Sequence, residues 1–224
     1  MALQTKIQTP ITIKNSIGEW LIAITINYLI FQAFWSYNVL WRGSDYSLDS
    51  ANPALAVSAL FIFALSLLFG PFYRTGWCQK WVIRLRRPIA MIATLLAFTH
   101  SYLVIKSYIT TGAAPVDEEK TCVILGITAL VILLIMLITS YPFALRMLNA
   151  AKWRALQLTA SILLILTLNT HYLVLDYYQV WQHWMQSHNH PVPPATMVVN
   201  IFCAIVLLVR VIDAIRNGMK KKVK

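Results

Sequence analysis

Charged residues are scarce in this sequence, and their scarcity excludes an ordinary water-soluble domain. Only 12% of the 224 residues are Asp, Glu, Lys or Arg, whereas 58% are hydrophobic. A soluble domain carries about 25% charged residues. The longest stretch outside the hydrophobic runs, from Asp176 to Thr196, is too short to fold alone. We therefore expect lipid to be the main solvent of this chain.

The motifs of soluble redox enzymes are also missing. The sequence contains no GxGxxG and no Walker loop, which excludes a nucleotide-binding domain of the usual kinds. It has three cysteines, Cys78, Cys122 and Cys203, at depths too different for pairing, and no CxxCH motif for attaching a c-type haem. Any redox or transport chemistry must then occur inside a helix bundle or with partners.

Long apolar runs dominate what is present. A helix needs roughly 20 mostly apolar residues to cross a bilayer. Six runs meet this requirement: Trp20–Leu40, Ala54–Phe72, Ile89–Ile109, Cys122–Phe143, Leu156–Leu175 and Met197–Ile215. Pro53 and Pro88 are predicted to mark helix starts, and Pro142 the end of the fourth run.

The basic residues predict the orientation of these spans. Six crossings put both termini and the loops at 74–87 and 146–154 on one side, which carries 16 of the 19 Lys and Arg residues. The other side carries Arg42, Lys106 and Lys120. By the positive-inside rule the rich side is cytoplasmic. The formal charge of +11 therefore indicates topology and contact with anionic lipid, and no nucleic-acid partner is expected.

Together these features predict an all-α integral membrane six-helix bundle with both termini cytoplasmic, a multi-pass membrane protein. Residues 1–19 are the predicted cytoplasmic N-terminal segment, 20–215 the transmembrane domain and 216–224 a basic cytoplasmic tail.

Two histidines fall within the predicted spans. His100 follows Arg87 by 13 residues and His171 follows Arg154 by 17, so both should lie in the outer half of the membrane at similar heights. Ionisable residues are costly there, and a functional role is the default interpretation. Two imidazoles on different helices can ligate a b-type haem iron from both sides, whereas the alternative is an interhelical hydrogen bond.

Small and polar residues share faces with both histidines. They are Ala90, Thr94, Ala97 and Ser101 near His100, and Gln157, Ala160 and Thr167 near His171. Such stripes either leave a slot for a flat ligand or simply let helices pack closely, and the sequence leaves both open.

Three segments carry a family resemblance. They are Leu85-Arg86-Arg87-Pro88-Ile89 leading to His100, Thr139-Ser140, and Trp153-Arg154-Ala155-Leu156-Gln157 leading to His171-Tyr172-Leu173. Over roughly residues 50–215 the chain resembles the ferric-reductase-like transmembrane domain family. It is most similar to a short bacterial form, the haem-binding membrane subunit of a periplasmic methionine sulfoxide reductase system. The resemblance implies a six-helix bundle, b-type haem and membrane electron transfer.

The sequence departs from the family at one position. The family usually has a second histidine on the fifth helix, in a Trp-x-x-x-His pattern, where this chain has Gln157. Gln157 lies 14 residues before His171, and Arg86 lies 14 before His100. Neither residue type is a usual ligand of haem iron. We therefore expect one haem b, ligated by His100 and His171.

The resemblance then implies a component of an oxidoreductase system rather than an enzyme by itself. Electrons would come from membrane quinone in its reduced form, quinol, or from a partner subunit, and pass to a redox partner protein on the non-cytoplasmic side. Two alternatives remain, a haem-free scaffold or accessory subunit with the same fold, and a small transporter. The transporter is disfavoured because no mid-membrane carboxylate and no matching broken helices occur.

The segment before the sixth run offers a second metal hypothesis. His183, Met185, His188 and His190 could bind copper or zinc, or could simply be solvated loop residues. Trp181 and Trp184 are predicted to be interfacial anchors.

Overall fold

A computed structural model of the chain describes residues 16–42, 45–112, 117–176, 180–187 and 192–222. Eight α-helices and no β-strand occur in these ranges. The helices are α1 (Ile17–Arg42), α2 (Leu48–Arg74), α3 (Lys80–Thr111), α4 (Asp117–Thr139), α5 (Pro142–Met147), α6 (Ala150–Asp176), α7 (Gln182–Ser187) and α8 (Ala195–Lys222).

Six of these helices, α1, α2, α3, α4, α6 and α8, are long and apolar enough to cross a membrane. This confirms the predicted all-α bundle of six spanning helices. The helix of the last span continues to Lys222. Which end of the bundle faces the cytoplasm stays a prediction.

The second helix lies at the centre of the bundle. In its most apolar window 72% of the residues are buried, against 11% for α1. It packs against α1, α3 and α8, while α4 packs mainly against α6. Small residues such as Ala54, Ser58 and Ala64 are fully buried along α2. Side chains of this size let neighbouring helices approach closely, which is how helices associate in lipid.

Pro53 and Pro88 lie inside helices, so the prediction that they mark helix starts was wrong. Pro53 is the sixth residue of α2, which begins after the N-cap Ser47, and Pro88 is the ninth residue of α3. A proline removes one backbone hydrogen bond, but a helix continues through it where tertiary contacts hold both sides. Leu85 and Ile89, which flank Pro88, are 2% and 0% exposed. Their burial keeps this part of α3 helical.

The fourth predicted run contains the end of one helix and the start of the next. The fourth span ends at Thr139, and Pro142 is the first residue of the short α5. The break between the two helices falls at Ser140 and Tyr141, immediately before Pro142. On the other side of the bundle, part of the predicted loop between the last two spans forms the short α7.

Candidate functional site

A cavity of about 420 Å³ opens between the spanning helices. Every one of the six contributes to its wall, and both His100 and His171 line it. Most of the other lining side chains are apolar, among them Val57, Leu130 and Leu168. A mostly apolar cavity with few polar groups is typical of a cofactor site, for which volumes of roughly 300–1,000 Å³ are usual.

The orientation of His100 is set by α2. Its Nδ1 lies 2.8 Å from the Oδ1 of Asn52 and 3.1 Å from the backbone oxygen of the same residue. A carbonyl oxygen can only accept a hydrogen bond, so Nδ1 carries the proton of the neutral ring. The lone pair of the imidazole is then on Nε2, the nitrogen that would ligate a metal.

His171 is held in the same way by α4. Its Nδ1 lies 3.0 Å from the backbone oxygen of Cys122, so this ring too carries its lone pair on Nε2. A Cβ placed at Gly126 would lie 3.9 Å from Cε1 of His171. The ring therefore packs directly against the side-chain-free face of α4 at this glycine.

The two histidines lie near the same end of the bundle. Asn52 is in the second turn of α2 and Cys122 is in the second turn of α4. Both helices start from that end, because each follows an odd-numbered crossing. The two imidazoles line one cavity and are close enough for a charge on one to act on the other. The geometry thus brings together the pair that the spacing from Arg87 and Arg154 predicted at similar heights.

The segment before α8 is hydrogen-bonded to α1 beside this cavity. The Tyr37 hydroxyl donates to the backbone oxygen of Pro193, and the Trp41 indole donates to that of Val192 over 3.2 Å. Pro194, two residues further on, lines the cavity. Hydrogen bonds from α1 therefore hold this segment next to the cavity.

Two hypotheses concerned the segment before α8: its tryptophans as interfacial anchors, and its histidines as a metal site. Trp181 is 7% exposed and its indole donates to Thr196 over 3.0 Å, so it packs within the protein instead of facing lipid as an anchor. His183 and Met185 are exposed. His188 and His190 lie outside the described residues. Among the residues that are described, no group of three His, Cys, Asp or Glu could hold a metal ion.

The small-residue stripes contribute unequally to the cavity. On α3, Ala97 and Ser101 line it together with His100. On α6 the wall beside His171 is made by larger residues, including Leu164, and Gln157 is not part of it. The Gln157 amide instead donates to Oγ1 of Thr139 over 2.7 Å.

Asn52 and Gly126 are the site residues that the sequence prediction missed. Asn52 gave a signal, since it is a polar residue immediately before Pro53 at the start of an apolar run. Gly126 gave none beyond being a glycine inside a predicted span. Asn52 contacts His100, and Gly126 lies against His171, and each histidine is distant from its neighbour in sequence.

The side chains present fit a b-type haem. The donor set is two neutral imidazoles from α3 and α6, each with its Nδ1 bonded to a carbonyl oxygen, which is the usual second contact of a metal-ligating histidine. The wall is apolar, as the buried porphyrin face requires. His100 and His171 are the residues that would hold such a group.

Comparison with protein families agrees with this geometry. Residues 54–168, just over half of the chain, match the family model described as ferric reductase like transmembrane component. The matched range includes His100 and Gln157 and stops just before His171. Comparison with curated proteins finds no match. A family of this kind indicates a membrane component of an electron-transfer system. The chain therefore belongs to the ferric-reductase-like transmembrane component family.

Proposed function

We propose that this protein binds one b-type haem and relays electrons within the membrane to an acceptor on the non-cytoplasmic side, as one component of a redox system. His100 and His171 are the residues that would hold the haem iron. One observation carries the proposal: the two imidazoles, from α3 and α6, line a single apolar cavity with Nδ1 of each ring on a carbonyl oxygen.

The chain's own groups would prepare the site for ligation. The carbonyl oxygens of Asn52 and Cys122 fix the tautomer and orientation of the two rings and increase the basicity of Nε2. The apolar wall would limit the contact of a bound group with water, which influences a reduction potential. A haem bound there supplies the one-electron chemistry.

Support for a single haem comes from the level of Arg86 and Gln157. Glutamine and arginine side chains are not usual ligands of haem iron. The Gln157 amide is also engaged with α4, through Thr139 and the backbone oxygen of Met136. This level therefore offers no pair of ligands comparable to His100 and His171.

Resemblance to the bacterial haem-binding membrane subunit MsrQ supports the direction of electron flow. With a haem held by His100 and His171, the protein would take electrons from membrane quinol or a partner subunit and pass them to a partner protein outside the cytoplasm. The inner membrane is the location that this resemblance implies. Activity would depend on the partner, because the described residues form no domain outside the bundle.

A visible spectrum of the purified protein tests the proposal. Protein expressed in haem-replete cells is purified in detergent and measured oxidised and after reduction with dithionite. We expect low-spin b-type bands at about one haem per chain. His100→Ala and His171→Ala should each lose these bands. His183→Ala is the matched control, since it removes an exposed histidine, and it should keep them.

The other outcomes distinguish the alternatives. A colourless wild-type protein that is folded by circular dichroism would contradict haem binding and favour the haem-free scaffold. Two haems per chain would contradict the single-haem assignment. A spectrum unchanged in both His100→Ala and His171→Ala would place the haem elsewhere.

A further inference from the structure

Three arginines converge at the end of the bundle opposite the histidines. Arg74 ends α2, Arg86 is in the second turn of α3, and Arg210 is in the second half of α8. A Cβ at Gly70 would lie 3.6 Å from Nη1 of Arg210 and 3.6 Å from both terminal nitrogens of Arg74. Arg86 is near enough to interact electrostatically with both. We refer to Arg74, Arg86 and Arg210 as the arginine cluster.

Carboxylates at this end are too few to neutralise the cluster. Asp213 binds Arg74, with Nε of the arginine 3.0 Å from Oδ1 and a second bond to Oδ2. Glu19, the other acid at this end, lies 3.7 Å from Arg84. The remaining acids of the sequence belong to the opposite end of the bundle. They are Asp45, Asp49, Asp117, Glu118, Glu119 and Asp176.

Two observations show that part of this charge is removed from water. Within the cluster, Nε of Arg210 is buried, with no hydrogen-bond partner among the described residues. Arg86 and Arg210 as whole residues are only partly exposed. Asp213 also acts on Arg210 as a counter-charge, but one carboxylate cannot balance three guanidinium groups, and a desolvated cation that is not fully balanced is costly. An external anion at this position would remove that cost.

We propose that the arginine cluster is a binding site for a phosphate group. Guanidinium groups match phosphate oxygens with paired hydrogen bonds and are less strongly hydrated than ammonium groups. Basic pockets between transmembrane helices recognise the headgroups of anionic lipids. The phosphate could belong to such a lipid or to a soluble molecule, and the experiment separates the two sources. The proposal does not depend on the haem site.

Thermal unfolding of the full-length protein tests the site. The protein is delipidated in detergent and heated alone, with phosphatidylglycerol, with phosphatidylcholine, or with inorganic phosphate. Near saturation we expect phosphatidylglycerol to raise Tm by about 5 °C and phosphatidylcholine to leave it unchanged. An equal rise with inorganic phosphate assigns the site to soluble phosphate. A rise with phosphatidylglycerol alone assigns it to lipid.

Charge-removing variants identify the residues. The double variant R86Q/R210Q should lose the rise with the anion. Without added anion its Tm should not fall below that of the wild type, because a repulsive pair has been removed; a purely structural role for these arginines would lower it. R86K/R210K keeps the charge but not the paired geometry and should keep part of the rise. Arg154→Gln, which removes an exposed arginine on α6 at the same end, should keep all of it.

Two results would overturn the proposal. One is a wild-type protein whose Tm responds to neither phosphatidylglycerol nor phosphate. The other is an R86Q/R210Q variant that responds as strongly as the wild type; should this variant fail to fold, the single variant Arg210→Gln is judged by the same criterion. Haem content should be unchanged in every arginine variant, so this test and that of the proposed function fail separately.

Discussion

The third spanning helix and α6 carry two levels of paired side chains, 14 residues apart, and the levels differ in what they can do. At one level His100 and His171 line a common cavity. At the other, Arg86 lies in the arginine cluster and Gln157 is bonded to α4. The same two helices thus present a possible ligand pair at one end and structural and charged groups at the other.

The two levels belong to the same fold, but only one of them has a pair of side chains that could ligate a metal. At the second level the Trp153 indole donates to the backbone oxygen of Thr139 over 2.7 Å, and the Gln157 amide donates to the hydroxyl of the same residue. These bonds fasten α6 to α4 without any ligand. The chemistry of each level depends on the side chains present there, since one fold can hold different sites.

The largest expected effect comes from making the two levels alike. The substitution His100→Gln places a glutamine at the level of the histidines, as Gln157 is at the second level. Because an amide is not a usual haem ligand, haem content should fall by about tenfold or more. The measurement is haem per chain in purified protein. Gln157→Leu, the matched change at the other level, should leave haem content unchanged, and equal losses in the two variants would contradict the comparison.

A smaller effect is expected from the residue that orients His100. Asn52→Ala removes the side-chain acceptor of Nδ1 but leaves the backbone oxygen in place. Changes to such second contacts weaken metal binding by roughly 10- to 100-fold, and the lower end is expected here. Titration of apoprotein with haem measures the affinity. Asn27→Ala, on α1 and outside the cavity, should have no effect on it.

A further, smaller effect is expected on the free energy of unfolding, from the hydrogen bonds of Gln157. Gln157→Leu removes the hydrogen bonds to Thr139 and Met136, so the free energy of unfolding should fall by about 1 kcal/mol. Reversible unfolding in detergent micelles measures it. In a double-mutant cycle with Thr139→Val, a coupling energy of about 0.5 kcal/mol is expected. Zero coupling would show that the bond contributes nothing.

The smallest effect is expected at the ion pair beside the arginine cluster. The Arg74 side chain is 42% exposed, so solvent and salt screen its bond to Asp213. Asp213→Asn should therefore lower the free energy of unfolding by less than about 1 kcal/mol, and less at high salt. The same variant leaves the cluster more positive and should enlarge its response to phosphatidylglycerol. A smaller response than in the wild type would contradict this.

Much of the fold was predictable because its signals are local. Each spanning helix carries its own apolar run, and the spacing of His100 and His171 from basic residues indicated similar heights. The partners of the histidines were not predictable, since Asn52 and Cys122 lie 48 and 49 residues away along the chain. The rule for prolines failed at Pro88 because buried neighbours outweighed a local preference.

The amino-acid sequence by itself determined the number of membrane-spanning helices, the unequal distribution of charge between their two ends and the residue types available at each level. These follow from hydrophobicity and length, which act within a single segment. Only the tertiary structure decided that two histidines line one cavity, that carbonyl oxygens of α2 and α4 select their tautomer, and that three arginines meet beside Gly70. These depend on how helices rotate and pack against one another, and contacts between distant segments are not encoded in any one of them.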